Sequence, residues 1–250
     1  MLAFFKPTPI KLVFLLEWLL YLPFALWMGY LSEASRLLPI LFGVLFYYLV
    51  ACLLVALLER RRPRLLLSRL LALALGLAGL DQLIKLGVYR LLPLETSIPL
   101  LPGILNLQQA RNLDHSWLMS VFQWRFIGQA GLALLSLLGL GLGILIYRYY
   151  VSSRRESPWA ALSWVLFSAG LLSALCDQTL WGFTLDYLQL PGHFVADGKD
   201  LYLSFGLGAL LAEIVHTRSF SLSLDLPGAA RELRSFLRFV RDDLRKILRA

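Results

Sequence analysis

Long apolar runs separated by short polar segments dominate this chain. A helix needs about 20 apolar residues to cross a hydrocarbon core of about 30 Å. Six runs approach that length, and the last is the shortest. The pattern therefore predicts an all-α polytopic membrane protein with six transmembrane helices. The runs cover residues 10–31, 38–58, 65–86, 126–146, 159–176 and 201–215.

The composition agrees with a membrane protein. Hydrophobic residues make up 58% of the chain, charged residues only 16%, and the mean hydropathy is +0.69. Soluble domains carry more charge and less apolar surface than this. The first run is too long for the core of a secretory signal peptide and no small-residue cleavage site follows it, so we interpret it as a retained helix.

The distribution of positive charge predicts the orientation, because Lys and Arg are retained on the cytoplasmic side of inserting helices. The residues expected on that side are Lys6, Lys11, Arg60, Arg61, Arg62, Arg64, Arg148, Arg154, Arg155, Arg218 and the tail. The opposite loops hold fewer: Arg36, Arg90, Arg111, Arg125 and Lys199. Both termini are therefore expected on the cytoplasmic side, with segments 87–125 and 180–200 facing the opposite side of the membrane.

The formal net charge of +8 is thus a signal of topology and of contact with lipid. No basic stripe is interleaved with aromatic residues on a soluble face, which argues against nucleic acid as a partner. Cys52 and Cys176 fall within apolar runs and indicate neither a disulfide framework nor a metal site. The three histidines have no metal-ligand spacing, so we expect no metal. They are His115, His193 and His216.

Two segments outside the apolar runs have patterns of their own. In the loop 93–125, prolines and a glycine bound two stretches short enough for strands, 98–101 and 104–108, which predicts a small extracytoplasmic β-element. An ordinary connecting loop is the alternative.

The tail after Thr217 is amphipathic. Its apolar face consists of Leu233, Phe236, Leu237, Val240, Leu244, Ile247 and Leu248. Its basic face consists of Arg231, Arg234, Arg238, Arg241, Arg245, Lys246 and Arg249. This pattern is typical of a helix that lies in an anionic membrane interface, so anionic lipids are predicted partners. A helix that binds a partner protein and a plain cytoplasmic tail are the alternatives.

Charged residues inside the apolar runs are the candidates for chemistry. Asp81 and Lys85 are four residues apart in the third run and therefore lie on one face of a helix. An ion pair in hydrocarbon requires contact with protein or water, so this face is expected to point into the bundle. A purely structural ion pair is an equally good interpretation.

Two more aspartates, Asp186 and Asp197, lie in the polar segment between the last two runs, and Asp177 closes the fifth run. Two carboxylates within hydrogen-bonding reach share a proton, so one can act as a base toward water while the other protonates the leaving group. Peptide hydrolysis needs this division of labour. A proton or ion relay and simple helix capping remain alternatives.

From Leu80 onward the chain resembles the lipoprotein signal peptidases, also called signal peptidase II. These intramembrane aspartic peptidases remove signal peptides from lipid-modified prolipoproteins. The matching blocks occur in the family's order and cover roughly residues 65–216. They are Asp81-Gln-Leu-Ile-Lys85, Ala110-Arg-Asn112, residues 170–177, Gly182-Phe-Thr-Leu-Asp186-Tyr and Val195-Ala-Asp197.

The resemblance implies a function, a site and a domain division. It implies a cofactor-free aspartic endopeptidase that cleaves a membrane-anchored substrate, a prolipoprotein, near the extracytoplasmic face of the membrane. Asp186 and Asp197 would form the catalytic dyad. The residues that bind substrate or support the site would be Asp81, Lys85, Asn112, Asp177 and Gln178. The expected division is a two-helix extension (1–64), a four-helix peptidase core (65–216) and a basic tail (217–250).

The chain departs from the family pattern at several positions. Ala174 and Phe194 stand where the family has Asn, and Gln178 stands where it has Arg. Bulky and polar residues follow Asn112 at 113–117, and Lys199 and Asp200 charge the start of a normally apolar final helix. Two other functions fit the sequence. One is a catalytically silent homologue that binds lipoproteins or signal peptides. The other is a proton-coupled transporter with a path through Asp81, Asp177 and Asp197.

Overall fold

Helices account for most of the computed structural model, which describes residues 2–60, 66–114, 128–153, 157–217 and 226–247. Short 3₁₀ turns at Val13–Leu15 and Ala34–Arg36 and a π-helical turn at Asp177–Trp181 supplement them. In chain order the helices are α1 Leu2–Phe5, α2 Pro9–Leu12, α3 Leu16–Trp27, α4 Leu37–Arg60, α5 Leu67–Leu91, α6 Gln129–Ser153, α7 Pro158–Cys176, α8 Gly198–His216 and α9 Leu226–Ile247.

Some residues that the sequence singled out lie outside the described ranges. They are Arg61, Arg62, Arg64, His115, Arg125, Arg154, Arg155, Arg218, Leu248 and Arg249, with residues 116–117 of the segment after Asn112.

Five helical segments of the described chain have the length and apolar composition needed to cross a membrane. They are Pro9–Trp27, Leu37–Leu58, Leu67–Leu91, Gln129–Ser153 and Pro158–Trp181. The sixth predicted span forms the 19-residue helix α8, which is more polar because it contains Lys199, Asp200 and Glu213. The prediction of a mostly helical polytopic membrane protein is confirmed. Of the six predicted spans, five meet the length and composition needed for crossing a membrane within the described residues, and α8 does not.

Helix α7 lies at the centre of the bundle, where it packs against α5, α6 and α8. Its face toward α8 carries small residues, and the hydroxyl of Ser163 donates to the backbone carbonyl of Gly206 at 3.0 Å. Small side chains at such contacts let two helix backbones approach closely within a membrane. The approach of α8 to α7 holds the start of α8 near the end of α7, where Asp177 lies.

The N-terminal helices pack on the other side of α8. The ring of Phe14 lies against Gly208, where an added Cβ atom would come within 2.3 Å of the ring. Trp18 packs edge-on against Tyr47, and Tyr47 stacks on Phe205 at 4.6 Å. These aromatic contacts join α3, α4 and α8 into one apolar cluster.

Four strands form one antiparallel sheet, in the order β1 Ser97–Leu101, β2 Leu105–Asn112, β3 Thr184–Leu190 and β4 Phe194–Ala196. The predicted β-element in the loop 93–125 is therefore confirmed as β1 and β2. The strands β3 and β4 were not predicted. They extend the sheet across to the segment that contains Asp186 and leads to Asp197.

The sheet sets the position of both aspartates. In the pairing of β2 with β3, Ala110 lies opposite Asp186, and Leu188 of β3 lies opposite Ala196 of β4. Leu185 and Tyr187 are buried against Val88 of α5, so β3 is fixed to the end of that helix. Helix α8 begins immediately after β4 and its cap, which brings Asp197 to the same end of the bundle.

Candidate active site

The ammonium group of Lys85 is the centre of a buried cluster of carboxylates. It lies 3.0 Å from Asp81, one turn earlier on α5, 2.7 Å from Asp177 and 2.7 Å from Asp197. The side chains of Lys85, Asp81 and Asp197 are 0% exposed. The predicted ion pair between Asp81 and Lys85 therefore exists and faces the bundle interior, where it joins two aspartates from distant parts of the chain.

Asp81 connects the ion cluster to the sheet and to α8. Its Oδ1 accepts hydrogen bonds from the hydroxyl of Tyr187 and from the backbone N–H of Gly198, both at 3.0 Å. Its Oδ2 accepts a hydrogen bond from the hydroxyl of Ser173. At Gly198 an added Cβ atom would lie 2.5 Å from Asp81 Oδ1, so only glycine allows this close approach at the start of α8.

Asp177 is held by α5 as well. Both of its oxygens accept from Lys85, at 2.8 and 2.7 Å, and Gln82 Nε2 donates to Oδ1 at 3.0 Å. The indole N–H of Trp181 in turn donates to Gln82 Oε1 at 2.9 Å. The π-helical turn after α7 is therefore tied to α5 at both its beginning and its end.

Asp186 lies on β3 with an incompletely satisfied carboxyl group. Asn112 Nδ2 donates to its Oδ2 at 3.3 Å, because Asn112 and Asp186 are diagonal neighbours across the β2–β3 pairing. Its other oxygen is buried and has no hydrogen-bond partner among the described residues. Burial raises the pKa of Asp186 well above its usual value, and the nearby carboxylate of Asp197 adds to this effect.

Asp197 has the opposite electrostatic surroundings. It caps α8 by accepting from the backbone N–H of Asp200 at 3.1 Å, and Asp200 accepts in return from the N–H of Asp197 at 3.2 Å. Its Oδ2 lies 2.6 Å from Lys199 and 2.7 Å from Lys85. Burial alone would raise the pKa of Asp197, but the two ammonium groups lower it below its usual value.

The structure thus brings six of the seven predicted site residues into one network. Asp81, Lys85, Asp177 and Asp197 share ion pairs. Asn112 is bonded to Asp186, and Asp186 is linked to Asp197 through the ammonium group of Lys199. Gln178 points elsewhere: its Oε1 accepts from Ser136 of α6 at 3.3 Å, and its backbone carbonyl accepts from Gln129. Its side chain therefore fastens α6 to the turn after α7.

The aromatic ring of Phe194 also turns away from the carboxylates. It packs against Tyr21 at 5.4 Å and Trp18 at 6.3 Å, both on α3. The neighbouring His193 bonds to the hydroxyl of Tyr21 at 3.1 Å and to the backbone carbonyl of Arg36 at 2.7 Å. The N-terminal helices thus hold the turn between β3 and β4.

Lys199 and Asp200 are site residues that the sequence reasoning noted only as departures. One carboxylate oxygen from each of Asp186, Asp197 and Asp200 lies within 4.8 Å of the others, and the ammonium group of Lys199 lies 2.6 to 3.9 Å from an oxygen of each. The spacing of Asp197 and Asp200 is that of a capping box with an aspartate at the third position. That signal would have placed both residues at the start of α8.

Comparison with known proteins adds independent information. A family model described as signal peptidase (SPase) II matches residues 73–216. A lipoprotein signal peptidase of Clostridioides difficile (strain 630) is 30% identical over 133 residues, which cover 52% of this chain and 83% of that protein. A lipoprotein signal peptidase of Streptococcus thermophilus (strain CNRZ 1066) is 27% identical over 139 residues, 55% of this chain and 86% of that protein.

A solved structure shares the fold. It is a bacterial membrane enzyme determined by the in meso method at 2.3 Å resolution, with a TM-score of 0.53 and 16% sequence identity. The similarity covers 63% of this chain and 94% of that one. The described bundle and sheet therefore have a counterpart in a known membrane enzyme.

Proposed function

Since the chain belongs to the signal peptidase II family of membrane peptidases that process lipoproteins, we propose that it is an aspartic endopeptidase whose catalytic dyad is Asp186 and Asp197. The observation that carries this proposal is the contrast between the two carboxyl groups. Asp197 lies 2.6 and 2.7 Å from two ammonium groups. Asp186 has one amide donor, and its other oxygen has no hydrogen-bond partner among the described residues and lies 3.9 Å from Lys199.

This contrast supports an assignment of roles. Asp197, the ionised carboxylate, accepts a proton from a water molecule as the water oxygen attacks the scissile carbonyl carbon. Asp186, protonated at the start, donates its proton to the carbonyl oxygen, which gives a tetrahedral diol. Asp197 then passes its proton to the amide nitrogen while Asp186 takes a proton back from a diol hydroxyl, and the C–N bond breaks. Each aspartate ends in its starting state.

The remaining network is proposed to hold the dyad in place. Lys85 keeps three carboxylates at fixed distances around one charge, and Asn112 orients Asp186 through its amide. Rigid support of this kind matters because a displacement of about 1 Å at a reacting group can cost about 100-fold in rate.

The proposed substrate is a membrane-anchored, lipid-modified precursor, a prolipoprotein, cleaved near the extracytoplasmic face of a bacterial inner membrane. The substrate class follows from the family, and two features support the extracytoplasmic position of the cleavage site. The sheet and the dyad lie at the end of α5 that leads into the segment 87–125, opposite the end with the arginine-rich segment near residue 60. Loops rich in Lys and Arg are cytoplasmic, so both termini are expected inside.

A cleavage assay with matched substrates tests the substrate class. Purified protein in detergent is incubated with a prolipoprotein carrying its lipid modification and with the same precursor lacking it. We expect a shift to the mature size for the lipid-modified form. Binding of the precursor without turnover would instead identify a non-catalytic homologue and overturn the peptidase assignment.

A further inference from the structure

Lys199 is a buried cation inside the proposed dyad. It is the second residue of α8, and its side chain returns toward the cap so that its ammonium group lies 2.6 Å from Asp197 Oδ2. The side chain is only 7% exposed. A buried ammonium group is costly unless opposite charges compensate it, so its position has to be explained by what it contacts.

The contacts of Lys199 differ from those of Lys85. Lys85 contacts Asp81, Asp177 and Asp197. Lys199 contacts both members of the dyad, at 2.6 Å from Asp197 and 3.9 Å from Asp186. Among the described residues, Lys199 is the cation whose charged nitrogen lies within 4 Å of a carboxylate oxygen of both Asp186 and Asp197. The attraction falls with distance, so Lys199 stabilises negative charge on Asp197 more than on Asp186.

The start of α8 fixes this geometry. The backbone N–H of Gly198 is bonded to Asp81, and there is no room for a side chain at that position. The backbone N–H of Asp200 is bonded to Asp197. Lys199 therefore projects from a turn held on both sides, which limits the positions that its ammonium group can reach.

We propose that Lys199 is a positioning residue that assigns the roles within the dyad, by holding Asp197 as the carboxylate that accepts a proton from water and leaving the shared proton on Asp186. This inference rests on the proposed function and deepens it. In this proposal the dyad works next to an ammonium group. The surrounding cluster contains more carboxylates than cations.

Other titratable groups surround the pair and act on its ionisation. They are Asp81 and Lys85 on α5, Asp177 after α7, Tyr187 on β3, and Asp200 and Tyr202 on α8. Tyr47 on α4 interacts with Asp200 and with Glu17 on α3. All of them remain when Lys199 alone is replaced, so the test isolates one charge.

The test compares pH profiles of kcat/KM for the full-length protein and Lys199→Met. The ascending limb of each profile reports the pKa of the base, and the descending limb reports the pKa of the acid. An opposite charge within about 4–6 Å lowers the pKa of an aspartate by about 1–3 units. Loss of Lys199 should therefore move both limbs to higher pH, by about one unit or more. Arg90→Gln, which removes one exposed charge at the same end of α5, should leave the profile unchanged.

A titration that does not depend on turnover accompanies this assay. The carboxyl groups of the purified proteins are followed by NMR with ¹³C-labelled aspartate, and the carboxyl of Asp197, assigned from the Asp197→Asn variant, should titrate at higher pH in Lys199→Met than in the unmodified protein. If that variant cannot be purified, Lys199→Gln takes its place, since it keeps a donor for Asp197 and removes the charge. Unchanged limbs or an unchanged titration would overturn the role of Lys199.

The peptidase activity and the role of Lys199 are contradicted by different results. A protein that cleaves no precursor at any pH contradicts the proposed peptidase, even if the carboxyl titration shifts as expected. Normal cleavage with an unshifted profile in Lys199→Met contradicts only the assignment made to Lys199.

Discussion

At the scale of single residues, Lys85 is the side chain on which most of the site converges. Three aspartates from α5, the end of α7 and the cap of α8 lie within 3.0 Å of its ammonium group. Removing one partner from a buried ion cluster leaves uncompensated charge, which costs about 3–5 kcal/mol. Lys85 therefore has a structural role whether or not the protein cleaves a substrate.

Lys85→Met should lower the thermal unfolding temperature of the detergent-solubilised protein by several degrees, because Asp81, Asp177 and Asp197 lose their shared cation. The measurement is a thermal melt followed by circular dichroism or intrinsic fluorescence. Arg90→Gln serves as the control, since Arg90 is exposed on the same helix. Equal melting temperatures for Lys85→Met and the control would contradict the role of Lys85.

Phe194 provides a second residue-scale prediction. The family resemblance alone suggests that an asparagine there would restore a lost substrate contact, but the ring packs against Trp18 and Tyr21. Phe194→Asn should therefore destabilise the protein, by about 1–3 kcal/mol of lost burial, without faster cleavage of a generic prolipoprotein. Phe194→Leu should keep most of the stability. Faster cleavage by Phe194→Asn in a side-by-side assay would show that position 194 contacts the substrate.

At the scale of elements, the sequence predicted the helices well because burial in lipid imposes long apolar runs on them. It also predicted β1 and β2, at residues 98–101 and 104–108 against the observed Ser97–Leu101 and Leu105–Asn112. It did not predict β3, although Thr184, Leu185, Asp186 and Tyr187 alternate between polar and apolar residues, as a short strand would. All four are buried, so the polar members of this strand face protein and not water. Pairing of β3 with β2 joins segments about 75 residues apart in sequence, which no local pattern encodes.

The tail helix α9 is held at the C-terminal end of α6. Arg148 lies 2.6 Å from Asp243, and the ring of Tyr149 lies 5.5 Å from both Phe236 and Phe239. Leu233 and Leu237 remain more than half exposed, at 58% and 56%. An exposed leucine pair beside a row of arginines is suited to an anionic lipid surface.

A peptide of residues 226–250 should bind anionic vesicles more tightly than neutral ones, and added salt should weaken the binding. Each basic side chain near an anionic surface contributes about 1 kcal/mol, screened over about 8–10 Å at physiological salt. Vesicle co-sedimentation measures this. Replacing Leu233 and Leu237 with Gln should weaken binding to both kinds of vesicle. Equal binding of the unmodified peptide to both would remove the electrostatic part of the prediction.

At the scale of the whole molecule, the N-terminal helices and α5 both bond to the segment 184–197, which contains Asp186 and Asp197. Tyr187 bonds to Asp81 on α5, whereas His193 bonds to Tyr21 and to the backbone of Arg36. The sequence indicated the Asp81–Lys85 pair and, by resemblance, the dyad. The connection of the N-terminal helices to the β3–β4 turn could not be inferred, because it depends on a contact between residues 172 positions apart.

His193→Ala should reduce cleavage several-fold while leaving the dyad intact, because the lost hydrogen bonds, worth about 0.5–1.5 kcal/mol each, let the β3–β4 turn move. Hydrogen exchange of residues 184–196 should become faster in this variant. His216→Ala, at the far end of α8, is the control. Unchanged exchange and unchanged cleavage in His193→Ala would show that the N-terminal helices do not support the site.

The most direct measurement for the account is cleavage of a lipid-modified prolipoprotein by the asparagine variants of the dyad. Asparagine keeps the volume of aspartate but cannot transfer a proton, so Asp186→Asn and Asp197→Asn should each lower turnover by about 100-fold or more. Glu33→Gln, the same chemical change at an exposed carboxylate, should cleave normally, and all variants should show a cooperative thermal melt as evidence of folding. Turnover at the unmodified rate by either folded dyad variant would contradict the aspartic mechanism.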